Sequence, residues 1–176
     1  ELSSCVNIDG NLDALASCVQ LERLHLRGCE KLEGTLEALA CCTALVQLDL
    51  RGCVNINGKL DPLASNIALV NLYLSGCINL EGKLDALGKC ATLADLDLAD
   101  CKNLEGALTI DTCTGLTTLN LERCEKISGS FGKLGPCTAL TNLNLHDCAS
   151  LDGTPSAMQL KQVRWHRHGA SNATMA

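Results

Sequence analysis

Thirteen cysteines are the residues best placed to do chemistry in this chain, and twelve of them recur at fixed intervals. Cys5, Cys29, Cys53, Cys77, Cys101, Cys124 and Cys148 form one set; Cys18, Cys42, Cys90, Cys113 and Cys137 form a second; Cys41 stands outside both. Thiols in such number can pair as disulfides, hold zinc or act as nucleophiles. A disulfide framework suits a shorter chain and an even count. Zinc wants donors at the corners of a tetrahedron, whereas these sets supply lines, and no C-x-x-C pair occurs. The spacing favours structural thiols facing an interior, each a small apolar filler and a weak donor to turn carbonyls. That favours a reducing intracellular compartment, cytoplasm or organelle. Cys41 is expected to be the one thiol that a labelling reagent reaches.

Other reactive types give less. His25, His146, His166 and His168 are scattered, and His166-x-His168 reads as a solvated pair near the end of the chain. Asp95 and Asp97 are two apart on a strand and share a face. They could seat a cation, but an acidic patch on a recognition surface is the preferred reading. No nucleophile motif and no phosphate-cradling glycine loop occurs, and the single sequon Asn172-Ala173-Thr174 carries little weight. The chain is therefore read as a non-enzyme, with no cofactor, no catalytic residue and no metal site.

What must position these residues is a repeat. Leucines open similar blocks at Leu21, Leu45, Leu69, Leu93, Leu116 and Leu140, spaced by 24 residues except for one step of 23. Each block reads L-x-x-L-x-L-x-x-C-x-x-L-x-G-x-L-x-x-L-x-x-C, and Gly10, Gly34, Gly58, Gly82, Gly106, Gly129 and Gly153 keep the same register. The L-x-L alternation predicts one short strand per block with its leucines inward. One block cannot bury its apolar side alone, so blocks must stack and share a core. The stretch after each strand, such as Leu84 to Cys90, is too short and glycine-dotted for long helices, which leaves loops or single helical turns. The recurrent glycine relieves crowding where the chain turns. Between Leu108 and Cys113 one residue is lost, and Ile110 is expected to fill the inner slot. Asn66 replaces a cysteine of the second set.

The segment L-x-x-L-x-L-x-x-C-x-x-L resembles the leucine-rich repeat in its form with Cys where Asn is commoner. The following L-x-G-x-L resembles the plant-type variable segment without its Ile-Pro ending, and the C-T-A-L junctions at Cys42–Leu45 and Cys137–Leu140 are similar to those of algal arrays. The resemblance covers residues 2 to about 165. It implies an α/β-type solenoid: a right-handed superhelix with a parallel sheet on its concave face and loops or short helical turns on the convex side. Residues 1–168 are read as the repeat domain, the first repeat partial, and 169–176 as a flexible tail.

Composition limits the partners. Net charge is −6, against nucleic acid or an anionic membrane surface. No apolar run approaches the length that spans a bilayer. The only aromatics are Tyr73, Phe131 and Trp165, so Leu, Cys and Ala must fill the interior. Pro155 and Met158 break the last block; Leu160, Val163 and Trp165 then suggest a final strand with Trp165 as a lid. At the other end the chain enters mid-repeat at Glu1, without Met or a signal-like stretch, as a processed product or part of a longer protein would. Leu2, Ile8, Leu12 and Leu15 would present an open cross-section there, to be covered by missing sequence or by a partner.

Outward strand positions define the expected binding face. They are Arg23, His25 and Arg27; then Gln47, Asp49 and Arg51; then Asn71, Tyr73 and Ser75; then Asp95, Asp97 and Asp100. Thr118, Asn120, Glu122 and Arg123 follow, then Asn142, Asn144, His146 and Asp147, with Gln162, Arg164 and His166 on the last strand. The face runs from basic through neutral to acidic and amide-rich, then basic again, which suits a complementary protein partner. Two readings stand: a protein-interaction module using this face, or an accessory subunit held through its ends and flanks among several subunits of an organellar or photosynthetic assembly.

Overall fold

The computed structural model describes residues 9–153 and the backbone of residues 164–166. Seven three-residue strands, Arg23–His25, Gln47–Asp49, Asn71–Tyr73, Asp95–Asp97, Thr118–Asn120, Asn142–Asn144 and Arg164–His166, lie side by side in sequence order. Every pairing is parallel, and the register sets Leu48 opposite Leu72, Leu72 opposite Leu96 and Leu96 opposite Leu119. Because side chains alternate along a strand, these central leucines all enter the core while the residues flanking them point outward. The last strand falls where the sequence suggested. The side chains of Arg164 and Trp165 lie outside the described residues, as do Leu2, Cys5, Ile8, Pro155, Met158, Leu160, Val163 and the tail 169–176.

The core is one column of Leu, Ile and Cys, with Phe131 the only ring in it among the described residues. Each leucine buried there contributes on the order of 1.5–3 kcal/mol. Ile110 is fully buried, so it does fill the slot left by the missing residue. That coil is also where no helical turn forms. Elsewhere the chain returns through 3₁₀ turns at Leu12–Leu15, Leu36–Leu39, Asp61–Ser65, Leu84–Lys89 and Phe131–Leu134. At the N-terminal end Leu12 is buried, whereas Leu15 is only half-buried.

A second row of short strands was not foreseen. Gly10–Asn11, Leu32–Glu33, Asn57–Lys59, Asn79–Glu81, Glu105–Ala107, Lys126–Ser130 and Leu151–Asp152 pair in parallel, with single bridges Thr35↔Asn57 and Lys83↔Glu105 closing two of the gaps. The L-x-G-x-L segment alternates as L-x-L does, and Leu80 and Leu84 are both buried on either side of Gly82. Alternation was there to be read, but the glycine pointed towards a loop.

The thiols tie the coils together. In the first set, Cys53 Sγ donates to Leu26 O at 3.0 Å, Cys77 to Leu50 O at 3.1 Å and Cys101 to Leu74 O at 3.2 Å. Cys124 donates to Leu98 O at 3.1 Å and Cys148 to Leu121 O at 2.8 Å. The same carbonyls accept the turn N–H of their own coil, as Leu74 O does from Cys77 N at 3.0 Å. Each thiol thus locks the turn of the coil before it. Contacts in the second set are looser, 3.6 Å from Cys90 to Leu63 O and 3.6 Å from Cys137 to Ile110 O. Asn66 does better than a thiol there: its Nδ2 donates to Leu39 O at 3.0 Å and Cys42 O at 2.7 Å. A third polar row was also missed. Asn55, Asn79 and Asn103 each donate to a carbonyl of the preceding coil, Glu30, Val54 and Ile78 respectively.

Gly82 shows why the glycine row is needed. Its φ is +96°, and a Cβ would stand 2.6 Å from Asp61 Oδ2 and 2.9 Å from the Leu60 N of the coil before. A side chain there meets both backbone strain and a collision with backbone. Gly82→Ala should therefore lower unfolding free energy by about 2 kcal/mol in urea titration. Gly115→Ala, where nothing lies within 4 Å of the added carbon, should change it little.

Candidate partner-binding face

The sheet's register lines the outward residues into two rows. Arg23, Gln47, Asn71, Asp95, Thr118 and Asn142 form one; His25, Asp49, Tyr73, Asp97, Asn120 and Asn144 form the other. Directly opposed residues on neighbouring strands are about 5 Å apart, so short polar side chains reach each other. They do so here. Gln47 Nε2 donates to Asn71 Oδ1 at 2.9 Å, and Asn71 Nδ2 to Asp95 Oδ2 at 2.8 Å. Thr117 Oγ1 reaches Asp95 Oδ1 at 3.0 Å, and the Tyr73 hydroxyl reaches Asp95 Oδ2 at 3.4 Å. Asp95 is thus the hub of a lateral network with both oxygens engaged. Asp97 Oδ1 accepts Ala99 N at 3.3 Å. The pair serves the sheet rather than presenting an open carboxylate cage. Among the described residues no group of three or more His, Cys, Asp or Glu side chains is arranged to hold a metal ion.

Tyr73 is the centre of the face. The Arg51 guanidinium lies 4.6 Å from its ring centroid, a cation–π stack. Arg51 is held in turn by Asp49, with Nε 2.9 Å from Oδ1 and Nη2 against Oδ2, a forked pair. Asp49 is accordingly a correction to the expected contact set: only 8% of it is exposed, because Arg51 folds over it. Burial alone would push the Asp49 carboxyl up, but the Arg51 hydrogen bonds outweigh it and hold the carboxyl below its ordinary value. The Tyr73 hydroxyl is pushed up, first by burial and then by the Asp95 charge. Arg23 and Arg27 are exposed beside this cluster, and His25 is half-buried.

The C-terminal half is organised differently. Arg123 Nη1 lies 3.1 Å from Asp100 Oδ1, and Asn144 Nδ2 donates to Glu122 Oε2 at 2.9 Å. Asp100, Arg123 and Asp147 adopt left-handed backbone, with φ of 61°, 58° and 59°. The equivalent places earlier are glycines, so the rim gains charged side chains where the N-terminal coils have none. Spacing alone could not reveal that strain. Asn120 and the half-buried Asn144 continue the row towards the last strand, where Arg164 has only its backbone described.

Most of the cysteines are withdrawn from solvent. None of the twelve described is in a disulfide, and ten are buried. Burial pushes Cys53, Cys90 and Cys137 up to about 11 and drives Cys77, Cys101 and Cys124 upward too. The labelling expectation needs correcting: Cys18 is half-buried like Cys41, because its place in the second set lies in the first described coil.

No protein-family model and no curated protein sequence matches the chain. Solved structures do. The leucine-rich-repeat ectodomain of the plant membrane receptor kinase GASSHO1/SCHENGEN3 from Arabidopsis thaliana, in complex with CASPARIAN STRIP INTEGRITY FACTOR 2, superposes with a TM-score of 0.66 at 24% identity, over 87% of this chain and 19% of that one. The functional domain of InlJ from Listeria monocytogenes, described as including a cysteine ladder, gives 0.58 at 17% identity, over 86% and 35%. An internalin from Listeria monocytogenes gives 0.57 at 15% identity, over 93% and 52%. This is a leucine-rich-repeat fold. The repeat array spans only a fifth to a half of the length of these three chains.

The raised thiols of the repeat array give it an alkaline limit. A folded-state value above the unfolded one means the folded form holds its protons more tightly. The stabilisation is complete below the unfolded value of 9.0 and is lost as pH climbs through about 11. Urea midpoints measured from pH 8 to pH 11 should stay level up to about pH 9 and then fall steadily. A level profile across that range would contradict thiol burial.

Proposed function

We propose that this repeat array is a non-catalytic binding module that takes a protein partner on the outward face of its seven-stranded sheet. The observation that carries the reading is the Tyr73 cluster. An aromatic ring, a stacked arginine and a cross-linked amide and carboxylate row are fixed before any partner arrives, which lowers the ordering cost of association. Arg23, His25, Arg27, Arg51, Asn71, Tyr73, Asp95, Asp97, Asn120, Asn144 and Arg164 would form the contact set, with Asp49 acting through Arg51. The charge change from Arg23 and Arg27 to Asp95 and Asp97 would orient the partner. The plant ectodomain in complex with its factor supports the same class of role. On this reading residues 1–168 form the binding domain and 169–176 a tail.

The half-buried Leu15, Leu21 and Leu24 in the first described coil favour a second reading, an accessory subunit docked through that end. The two separate in one experiment. Arg23→Ala, Arg27→Ala and Tyr73→Ala combined should reduce partner capture by on the order of tenfold or more, since Arg and Tyr dominate binding hot spots. Substitution of Leu15 and Leu21 by Ser should leave capture intact. The reverse pattern would favour the accessory role.

A further inference from the structure

Cys41 is a cysteine that the repeat does not require. The equivalent places hold Ser17, Ser65, Lys89, Thr112 and Pro136, so no packing rule puts a thiol there. Its Sγ donates to Ala16 O of the preceding coil at 2.9 Å and lies 3.9 Å from the Sγ of Cys42. Cys18 occupies the same ladder one coil before Cys42, which makes a cluster of three thiols on adjacent coils. Of the twelve described cysteines, only Cys18 and Cys41 reach the surface even partly.

We infer that Cys41 and Cys42 form a peroxide-sensitive dithiol site whose oxidation removes one tie between the first and second described coils. Hydrogen peroxide meets Cys41, the half-buried member, before the fully buried Cys42. The peroxide O–O bond breaks, one oxygen passes to Cys41 Sγ as a sulfenic acid, and the other leaves as water. Cys42 Sγ then attacks Cys41 Sγ, the S–O bond breaks, and its oxygen leaves as a second water. Two thiols and one peroxide become one disulfide and two waters. The 3.9 Å separation of the two sulfur atoms puts Cys42 within reach of the sulfenic acid on its neighbour. Adjacent Cα atoms are about 3.8 Å apart, below the usual disulfide span of about 4.4–6.8 Å. The bond is therefore strained, easily reduced and suited to a reversible switch. Its formation removes the Cys41 proton donated to Ala16 O, a tie between these two coils.

The full chain, fully reduced, is treated with one equivalent of hydrogen peroxide, then denatured, alkylated and mapped by peptide mass. The expected result is loss of alkylation at both Cys41 and Cys42, with the peptide lighter by two hydrogens and restored by dithiothreitol. Cys41→Ser, which places there the residue found at Ser17 and Ser65, should abolish the change. Cys42→Ser should leave a sulfenic acid on Cys41 that dimedone captures. Full alkylation of both cysteines after peroxide would overturn the inference. So would a link mapped to Cys18, or a loss at Cys42 that persists in Cys41→Ser.

Discussion

Everything in this molecule depends on one coil seating on the next, and the thiol-to-carbonyl rung is where that seating is fixed. Cys53, Cys77, Cys101, Cys124 and Cys148 each donate to a carbonyl 26 or 27 residues earlier, at the point where the previous strand turns away. A sulfur atom is large enough to fill the space between stacked leucines and polar enough to answer a turn carbonyl. A serine would answer the carbonyl but forfeit apolar burial; an alanine would do neither job fully. The coil has no other core to fall back on, because a repeat buries its apolar side only against its neighbours.

The same stacking makes the outer face. Like positions of successive coils are brought into direct opposition, so a repeat that is uniform inside can vary freely outside at no cost to the core. That freedom is used unevenly. Around Tyr73 and Asp95 the side chains hold each other across three strands and on to Thr117, and the surface is stiff. Towards Asp100, Arg123 and Asp147 the backbone itself is strained to present charge at the rim. Such left-handed conformations cost on the order of 1 kcal/mol each and persist only when the surrounding coils dictate them. A stiff centre beside a charged rim is a reasonable design for recognition, with affinity from the anchor and orientation from the charge.

Most of the fold was legible because stacking imposes periodicity. The central strands, their parallel order, the inward leucines, the short turns and Ile110 all follow from a 24-residue rhythm and its single lapse. What escaped has a common cause. The second strand row hid behind its glycine; the Asn55, Asn79 and Asn103 row looked like ordinary surface polarity. The Asp49–Arg51 fork was invisible because alternation states which way a side chain leaves the strand, not where a neighbour pulls it. The half-exposure of Cys18 reflects position along the stack, which a repeat pattern treats as equivalent at every coil. Alternation told which strand positions of the described coils leave the core, Asp49 being folded under Arg51, while their mutual bonding required three dimensions.

The most direct test of the account is thiol protection resolved by residue. Brief alkylation of the native protein, followed by peptide mapping, should modify only Cys18 and Cys41 among the described cysteines, with the ten buried thiols reacting once urea unfolds the chain. Alkylation of Cys77 or Cys101 in the native state as fast as in the unfolded chain would mean that the coils do not stack through their thiols, and the account would fail.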